Sequence, residues 1–371
     1  MRIAVNTRAL YRGELEGYGF FIEELFSRII RSYPEHEFYF ISDRPCSFEF
    51  SSLLNVKQKL IKPLLKVNRI QRGWFNWRLS SLLKKIKADV LISIDEICSS
   101  SANIPQCLIV HDMHFLQSSK SQVKKITRTA SNKFSKATVV VTALESIKKD
   151  IQKEYYLSEN SIHVIAHTAS TLFQPVEAEE KEKLKKMYAE GNEYFIYKDL
   201  FQSGKNAYTL LKAFSAFKKK QKSNMKLLIA VNSKTQSVDL IKQLTTYKYR
   251  EEVKVVEIIN KQILAKLVAG AYALVDLSGN ESFSYSVLEA IQCQTAAIVS
   301  NVSSITEKEK DAYLFVNNNS FEDVAEKMMF LYKDENLRAK LIENGKKTTS
   351  RISWDEAAKK MWDCILQTSV S

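Results

Sequence analysis

Short apolar segments alternate with amphipathic helical segments along nearly all of this 371-residue chain, and that alternation constrains the fold more than any other feature. Parallel strands need long crossover connections, which are usually helices, so the pattern predicts mostly parallel sheets of the α/β class. The predicted strands are residues 2–6, 37–42, 88–94, 106–110, 136–142, 162–165, 194–197, 226–231, 253–258, 273–275, 295–299 and 313–316. The predicted helices are residues 21–31, 75–86, 145–151, 208–217, 321–332, 335–345 and 354–366.

The chain is too long for one compact core and suggests two domains. Residues 174–191 are highly charged and contain Pro175, as is typical of a domain boundary. We therefore expect an N-terminal domain of residues 1–172 and a C-terminal domain of residues 173–354. Two Rossmann-like β/α/β domains that face each other across a cleft are the simplest architecture for this pattern.

Positive charge is concentrated in the first half of the chain. The net charge is +13, and residues 51–88 hold ten Lys and Arg but no acid. This bias favours an anionic partner, such as a membrane surface, a nucleic acid or a phosphorylated acceptor; a merely solvated basic face is the alternative. Helix 75–86, with Trp74 and Trp77 at its start, suits the surface of an anionic bilayer, but its apolar stripe is better explained by packing on a sheet. No helix-turn-helix or base-stacking signature supports nucleic-acid binding.

Cysteine and histidine spacing predicts neither disulfides nor a metal site. The five cysteines are odd in number and scattered, without a C-x-x-C pair, and His111 and His114 form the one close histidine pair. The chain starts directly with a strand pattern and contains no apolar run of membrane-spanning length. We therefore expect a cytoplasmic protein.

Residues 278–290 have the layout of a phosphate-binding loop. They follow the strand 273–275 and lead into an apolar helix start, so loop and helix N–H groups and the helix dipole would face an anion. Glu281 and Glu289 flank the loop; because carboxylates repel phosphate, they suit neutral hydroxyls of a ribose and a sugar. An ordinary strand–loop–helix with solvated glutamates has the same spacing, so spacing alone does not decide.

A second glycine-containing loop follows strand 2–6. Gly17 and Gly19 flank Tyr18 and let the backbone approach a ligand closely. A full G-x-G-x-x-G is missing, so a dinucleotide site is poorly supported.

With these motifs in this order, the chain resembles the glycosyltransferases of family 4 (group 1), which are retaining nucleotide-sugar enzymes with the GT-B fold. The motifs that carry the resemblance are residues 17–19, His111-Asp112, Gly204-Lys205-Asn206, the E-x7-E of Glu281 and Glu289, residues 299–304 with Glu307, and residues 352–354.

The resemblance implies a role for each matching residue. Glu289 would hold the ribose hydroxyls of the donor, and Glu281 would bind the transferred sugar near the reacting face. His111 would lie near the sugar and phosphate, while Gly17 and Gly19 would line the donor site.

The diphosphate would be held by the second domain. Backbone N–H groups around Ser284, Tyr285 and Ser286 would bind it, and Lys205 would neutralise its charge. Amide donors and a lysine stabilise a leaving diphosphate without a divalent metal. The expected reaction is front-side attack assisted by the leaving phosphate, with no enzymatic nucleophile.

The resemblance also implies partners. The donor would be a UDP- or GDP-linked hexose, used as a substrate with no cofactor, and the acceptor a glycan or lipid-linked glycan in polysaccharide or cell-envelope synthesis. The enzyme would be cytoplasmic or peripheral on the inner face of the membrane, and its last helix, residues 355–371, would pack back on the N-terminal domain.

Several positions depart from the family pattern. Ser282 and Ser284 replace glycines, Gly204 replaces an arginine that neutralises phosphate, and Asp199 stands at a usual glycine. These changes leave two alternatives to a transferase: a catalytically degenerate subunit that binds a glycan or partners an active enzyme, and a GT-B-type nucleotide-sugar epimerase.

Overall fold

The chain forms two compact units. The computed structural model describes residues 1–8, 18–43, 48–61, 68–94, 98–99, 101–110, 136–155, 157–199, 204–232, 238–278, 285–300, 310–349 and 353–370. Unit 1 comprises Met1–His167 with Ile352–Ser371, and unit 2 comprises Thr168–Arg351. The sequence pattern predicts this division between residues 172 and 173, and the family resemblance implies that residues 355–371 pack on the first domain.

Unit 1 contains a seven-stranded sheet in the order β3-β2-β1-β4-β5-β6-β7, with every neighbouring pair parallel. The strands are β1 Arg2–Asn6, β2 Glu37–Ser42, β3 Val56–Leu60, β4 Val90–Ser93, β5 Gln106–Val110, β6 Ala137–Thr142 and β7 Ile162–Val164. The inner strands are almost continuous runs of buried apolar residues, as expected for parallel strands covered on both faces.

Four helices of unit 1 are described: α1 Tyr18–Ser32, α2 Asn68–Ile86, α3 Glu145–Tyr155 and, at the far end of the chain, α11 Trp354–Val370. On α2, the buried stripe of Leu79, Leu83 and Ile86 packs with Ala4 and Leu91 of the sheet. The apolar stripe of this helix therefore covers the sheet, as the packing interpretation predicted.

Unit 2 contains a six-stranded parallel sheet in the order β10-β9-β8-β11-β12-β13. Its strands are β8 Tyr194–Asp199, β9 Lys226–Asn232, β10 Val253–Ile258, β11 Ala273–Asp276, β12 Ala296–Ser300 and β13 Leu314–Val316. Its described helices are α4 Ala178–Ala189, α5 Gly204–Gln221, α6 Val238–Thr245, α7 Lys261–Gly270, α8 Tyr285–Gln292, α9 Phe321–Lys333 and α10 Glu335–Thr349.

Alternation along β8 shows how the unit 2 sheet is covered. Phe195 and Tyr197 belong to the apolar core on one face, while Tyr194 and Ile196 belong to the core on the other. Both faces are thus packed by helices, which confirms the predicted α/β class.

The structure adds elements that the sequence analysis did not predict. Strand β3, in the basic segment, was not predicted, because Val56 is its single buried residue. Helix α4 lies within residues 174–191, where a boundary was expected, because Leu184 and Ala189 bury an apolar edge of this charged segment. Helices α6 and α7 were also not predicted.

Candidate functional site

The candidate site lies in unit 2 where the strand order reverses. From β8 the chain runs outward through β9 to β10, and then continues on the other side of β8 with β11. In open parallel sheets, ligands bind beyond the carboxyl ends of the strands at such a reversal, because the connecting loops diverge there. The last residues of β8 and β11 and the start of α8 therefore define the site.

An ion pair joins β8 to α8 at this point. The ammonium of Lys198 donates to Oε2 of Glu289, and the two side chains are only 8% and 14% exposed. The Lys198 ammonium also lies 5.9 Å from the ring centroid of Phe173, which is buried. Each of these two buried charges stabilises the other, because either one left unpaired at this depth would cost free energy.

The end of β11 is held by its own side chain. Asp276 is 8% exposed, and its Oδ1 accepts from the backbone N–H of Ser278 at 2.9 Å and from the Ser278 hydroxyl at 2.5 Å. The Ser300 hydroxyl, at the end of β12, donates to the carbonyl of Ser278. These bonds hold the backbone of Ser278 in place directly after β11.

Helix α8 is anchored to the core by its apolar residues. Val287, Ala290 and Ile291 are buried against the sheet, whereas Tyr285 and Ser286 in the first turn are partly exposed. The side-chain amide of Gln292 donates to the carbonyl of Ser170 at 2.9 Å and ties the helix end to the start of unit 2.

Three predicted donor-binding residues share this helix: Tyr285 and Ser286 in its first turn, and Glu289 one turn later. Lys205 follows the first residue of α5, directly after the end of β8 and its loop. Gly19 is buried in the first turn of α1 in unit 1, where the sequence analysis expected a loop. Glu281, Ser284, His111 and Gly17 lie outside the described residues.

Lys198 is the site residue that the sequence analysis missed. It follows the buried residues Tyr194 to Tyr197 in the strand Tyr194–Asp199, and a lysine that directly continues a buried apolar run was the available signal. The apolar run predicts a strand that ends at residue 197, which places Lys198 in the following loop.

Cys293, which follows α8, does not act as a nucleophile at this site. Burial raises the pKa of its thiol well above the ordinary value, and the Glu289 carboxylate adds to that effect. The reactive form of cysteine is the thiolate, so a thiol with a raised pKa is inert.

In the described ranges, His, Cys, Asp and Glu do not gather in groups of three or more that could hold a metal ion. None of the helices described here is both long and apolar enough to cross a membrane.

Comparison with known proteins gives this site a family context. Residues 178–348 match the sequence profile of the family described as Glycosyl transferases group 1. An uncharacterized glycosyltransferase of Methanocaldococcus jannaschii is 26% identical over 122 residues, which are 32% of this chain and 35% of that protein. The match thus spans about a third of that relative's length.

Solved structures resemble the whole chain. A glycosyltransferase from Rickettsia africae is 14% identical with a TM-score of 0.77, covering 99% of this chain and 98% of that one. Anabaena HepE, crystallised with UDP-glucose, is 12% identical with a TM-score of 0.74, covering 98% and 99%. Sucrose-phosphate synthase from Thermosynechococcus elongatus is 16% identical with a TM-score of 0.75, covering 99% and 98%. At these identities the likeness shows the fold, and it confirms the predicted GT-B class.

Proposed function

We propose that this chain, whose residues 178–348 match the family Glycosyl transferases group 1, moves a sugar from a nucleoside diphosphate to an acceptor hydroxyl. The observation that carries the proposal is the position of Glu289 and the first turn of α8 at the reversal of strand order in unit 2. HepE, which has the same fold, was crystallised with UDP-glucose, and this supports a UDP-linked hexose as the donor; a GDP-linked hexose is the alternative.

In the proposed reaction the configuration at the transferred carbon is retained. The bond from that carbon to the diphosphate breaks, and the acceptor oxygen bonds to the same face while its proton passes to the departing phosphate oxygen. Negative charge grows on the diphosphate as it leaves. Donors fixed in the protein stabilise that charge without reorganising, and we assign this role to the amides around Ser284, Tyr285 and Ser286 and to Lys205. We propose that these groups replace a divalent metal.

The remaining predicted residues complete the proposal. Glu281 would bind the transferred sugar, and His111, Gly17 and Gly19 would contribute from unit 1, which would also bind the acceptor. The acceptor would be a glycan or a lipid-linked glycan in polysaccharide or cell-envelope synthesis.

Titration with UDP, GDP and their hexose derivatives tests the donor site. We expect saturable binding of at least one of them, weakened on the order of tenfold to a hundredfold by Glu289→Ala, the worth of a hydrogen bond to a charged group. Glu326→Ala, which removes an exposed glutamate of α9 in the same unit, is the matched control and should bind like the wild type. Failure of every nucleotide to bind at millimolar concentration would rule out the donor site.

A degenerate subunit is the second candidate function. Gly204 removes an expected phosphate-neutralising cation, and Asp199 adds a carboxylate at the end of β8. Such a chain would bind a nucleotide sugar or glycan but would not turn it over. Donor hydrolysis or sugar transfer above background by the purified chain alone would exclude this candidate.

We further propose that the protein is cytoplasmic and peripheral on the inner, anionic face of a membrane. On α2 the apolar stripe is buried, so the surface that remains is basic: Lys84 and Lys85 are exposed, Lys87 follows the helix, and Trp77 is 60% exposed. Exposed lysines on the same helix as an exposed indole suit the headgroup region of an anionic bilayer.

A further inference from the structure

Lys198 lies near the position at which the proposed donor site lacks an expected positive charge. The family resemblance implies two cations near the diphosphate, and Gly204 replaces one of them. Lys198 stands a few residues earlier, just before the last residue of β8, and therefore lies at the end of the strand that precedes α5, the helix that begins with Gly204. The chain thus lacks the expected cation at residue 204 and carries one at the end of the strand.

The direction of the Lys198 side chain follows from the strand. Side chains alternate along β8, so Lys198 shares the face of Tyr194 and Ile196, which packs against α8. It therefore points under α8, towards Glu289, and away from the core that holds Tyr197.

Fold stability is a poor explanation for this ion pair. Removing two charges from water is expensive, and apolar residues of similar volume often replace such a pair with no loss of stability. The pair of Lys198 and Glu289 also stands at the reversal of strand order, where a ligand is expected, and not in the middle of the core. Both observations favour a role in binding.

Within the part of the chain that the structure describes, the geometry of the pair leaves one acceptor for a ligand. Lys198 engages Oε2 of Glu289, and a carboxylate has a second oxygen that accepts hydrogen bonds. With Oε2 fixed, the carboxylate cannot rotate freely, so Oε1 has a defined direction. The ammonium offsets the charge that would otherwise repel a nearby diphosphate.

We propose that Lys198 is a positioning residue for nucleotide recognition: it holds the Glu289 carboxylate so that Oε1 accepts from the ribose hydroxyls of the donor. This inference rests on the proposed donor site and adds that the choice of ribonucleotides over deoxyribonucleotides depends on the pair. A ligand without the 2′-hydroxyl leaves the oriented oxygen without one of its donors, and a buried polar group without its partner weakens binding.

Calorimetric titration of UDP, GDP and their 2′-deoxy forms tests this role in the full-length wild type, Lys198→Met and Lys198→Arg. In the wild type we expect the ribonucleotide to bind on the order of tenfold more tightly than its deoxy form. In Lys198→Met that ratio should fall close to one, because the carboxylate is no longer held. Lys198→Arg keeps a cation that donates to Glu289 and should restore most of the ratio.

The ratio separates positioning from a purely structural effect. A loss of folded protein lowers the binding capacity for both nucleotides alike and leaves their ratio unchanged. The double variant Lys198→Met/Glu289→Met removes both charges, so it should fold and should show no preference even if Lys198→Met alone is unstable. If Lys198→Met or the double variant keeps the wild-type ratio, the role of Lys198 is overturned while the proposed donor site stands. A wild type that binds no nucleoside diphosphate overturns the donor site and the inference together.

Discussion

Tyr33, just beyond the end of α1, stacks on the indole of Trp362 in α11, with ring centroids 3.9 Å apart and planes 13° from parallel. Trp362 is only 5% exposed and also lies 5.0 Å from the ring of His36. Residues more than three hundred positions apart in the chain therefore pack in the same core. The contact makes the last helix part of unit 1.

Trp362→Ala should lower the free energy of unfolding of unit 1 by about 3–5 kcal/mol, the usual cost of truncating a buried aromatic side chain. Chemical denaturation followed by circular dichroism measures the change. Trp362→Phe keeps an aromatic ring against Tyr33 and should lose clearly less. Equal stability of the alanine variant and the wild type would show that α11 does not hold unit 1 together.

His36 should make unit 1 less stable in mild acid. Burial lowers the pKa of its imidazole below 6.5; the amino group of Met1, 2.8 Å from Nδ1, lowers it further, and the Glu35 carboxylate partly opposes the shift. The unfolded chain therefore binds a proton at His36 more readily than the folded one. The contribution of His36 to the free energy of unfolding is fully present above pH 6.5 and falls as the pH drops below that value. Unfolding series between about pH 7.5 and 5 should show this slope. His36→Gln, which does not titrate there, should flatten it, and an unchanged slope would contradict the assignment.

Lys218 is a buried structural cation of unit 2. Its side chain is 3% exposed, pairs with Glu252, and donates to the carbonyls of Ser223 and, at 3.2 Å, Met225. Lys218→Met should lower the stability of unit 2 by roughly 1.5–3 kcal/mol, the net worth of a hydrogen bond to a charged group. Lys220→Met, on the exposed side of the same helix, is the control and should change stability little. Thermal denaturation of both variants makes the comparison, and equal midpoints would refute the role.

Gly270 ends α7 at a position with no space for a side chain. A Cβ there would lie 2.8 Å from the hydroxyl of Tyr194 and 3.0 Å from Cδ1 of Leu184. The Tyr194 hydroxyl is held by its bond to the carbonyl of Leu267 at 2.8 Å, so it cannot move away cheaply. Gly270→Ala should therefore cost about 1–3 kcal/mol of stability through overpacking.

A double-mutant cycle identifies the clash at Gly270. Tyr194→Phe removes the hydroxyl that the new methyl group would meet, so the two substitutions together should cost less than the sum of each alone. Strict additivity of the unfolding free energies would place the strain elsewhere.

Unit 1 should bind anionic vesicles in a salt-dependent manner. Cosedimentation with phosphatidylserine-containing vesicles should exceed that with neutral vesicles. It should weaken as the salt concentration rises, because dissolved ions shorten the range of the attraction between the lysines and the anionic headgroups. Replacing Lys84 and Lys85 by glutamate should reduce binding. The same change at Lys219 and Lys220, exposed lysines of unit 2, controls for net charge. Equal partition into both vesicle types would refute the membrane proposal.

Sequence patterns predicted the sheets well because buried parallel strands are short, continuous apolar runs. Residues 2–6, 37–42, 106–110 and 253–258 have the predicted limits. Strand β3 was missed because it is an edge strand: Gln58, Lys59 and Leu60 are exposed, so only Val56 carries an apolar signal. Edge strands are commonly polar, which prevents pairing with other chains and also hides them from hydropathy.

The candidate site was predictable in its motif but not in its contacts. The layout of residues 278–290 placed Glu289 on a helix after β11, as the structure shows. Its partner Lys198 lies ninety-one positions earlier, and only the pairing of β8 with β11 brings the two elements together. Local spacing carries no information about such a long-range contact.

Helix α11 also has a consequence for the order in which the chain folds during synthesis. It packs against β4, β5 and β6, yet it is translated after the whole of unit 2. Unit 2 is continuous in sequence and can fold as soon as it leaves the ribosome, whereas one face of the unit 1 sheet waits for residues 354–370. Unit 1 is thus translated first but completed last. A nascent chain that stops before Trp354 exposes an apolar surface that chaperones would have to cover.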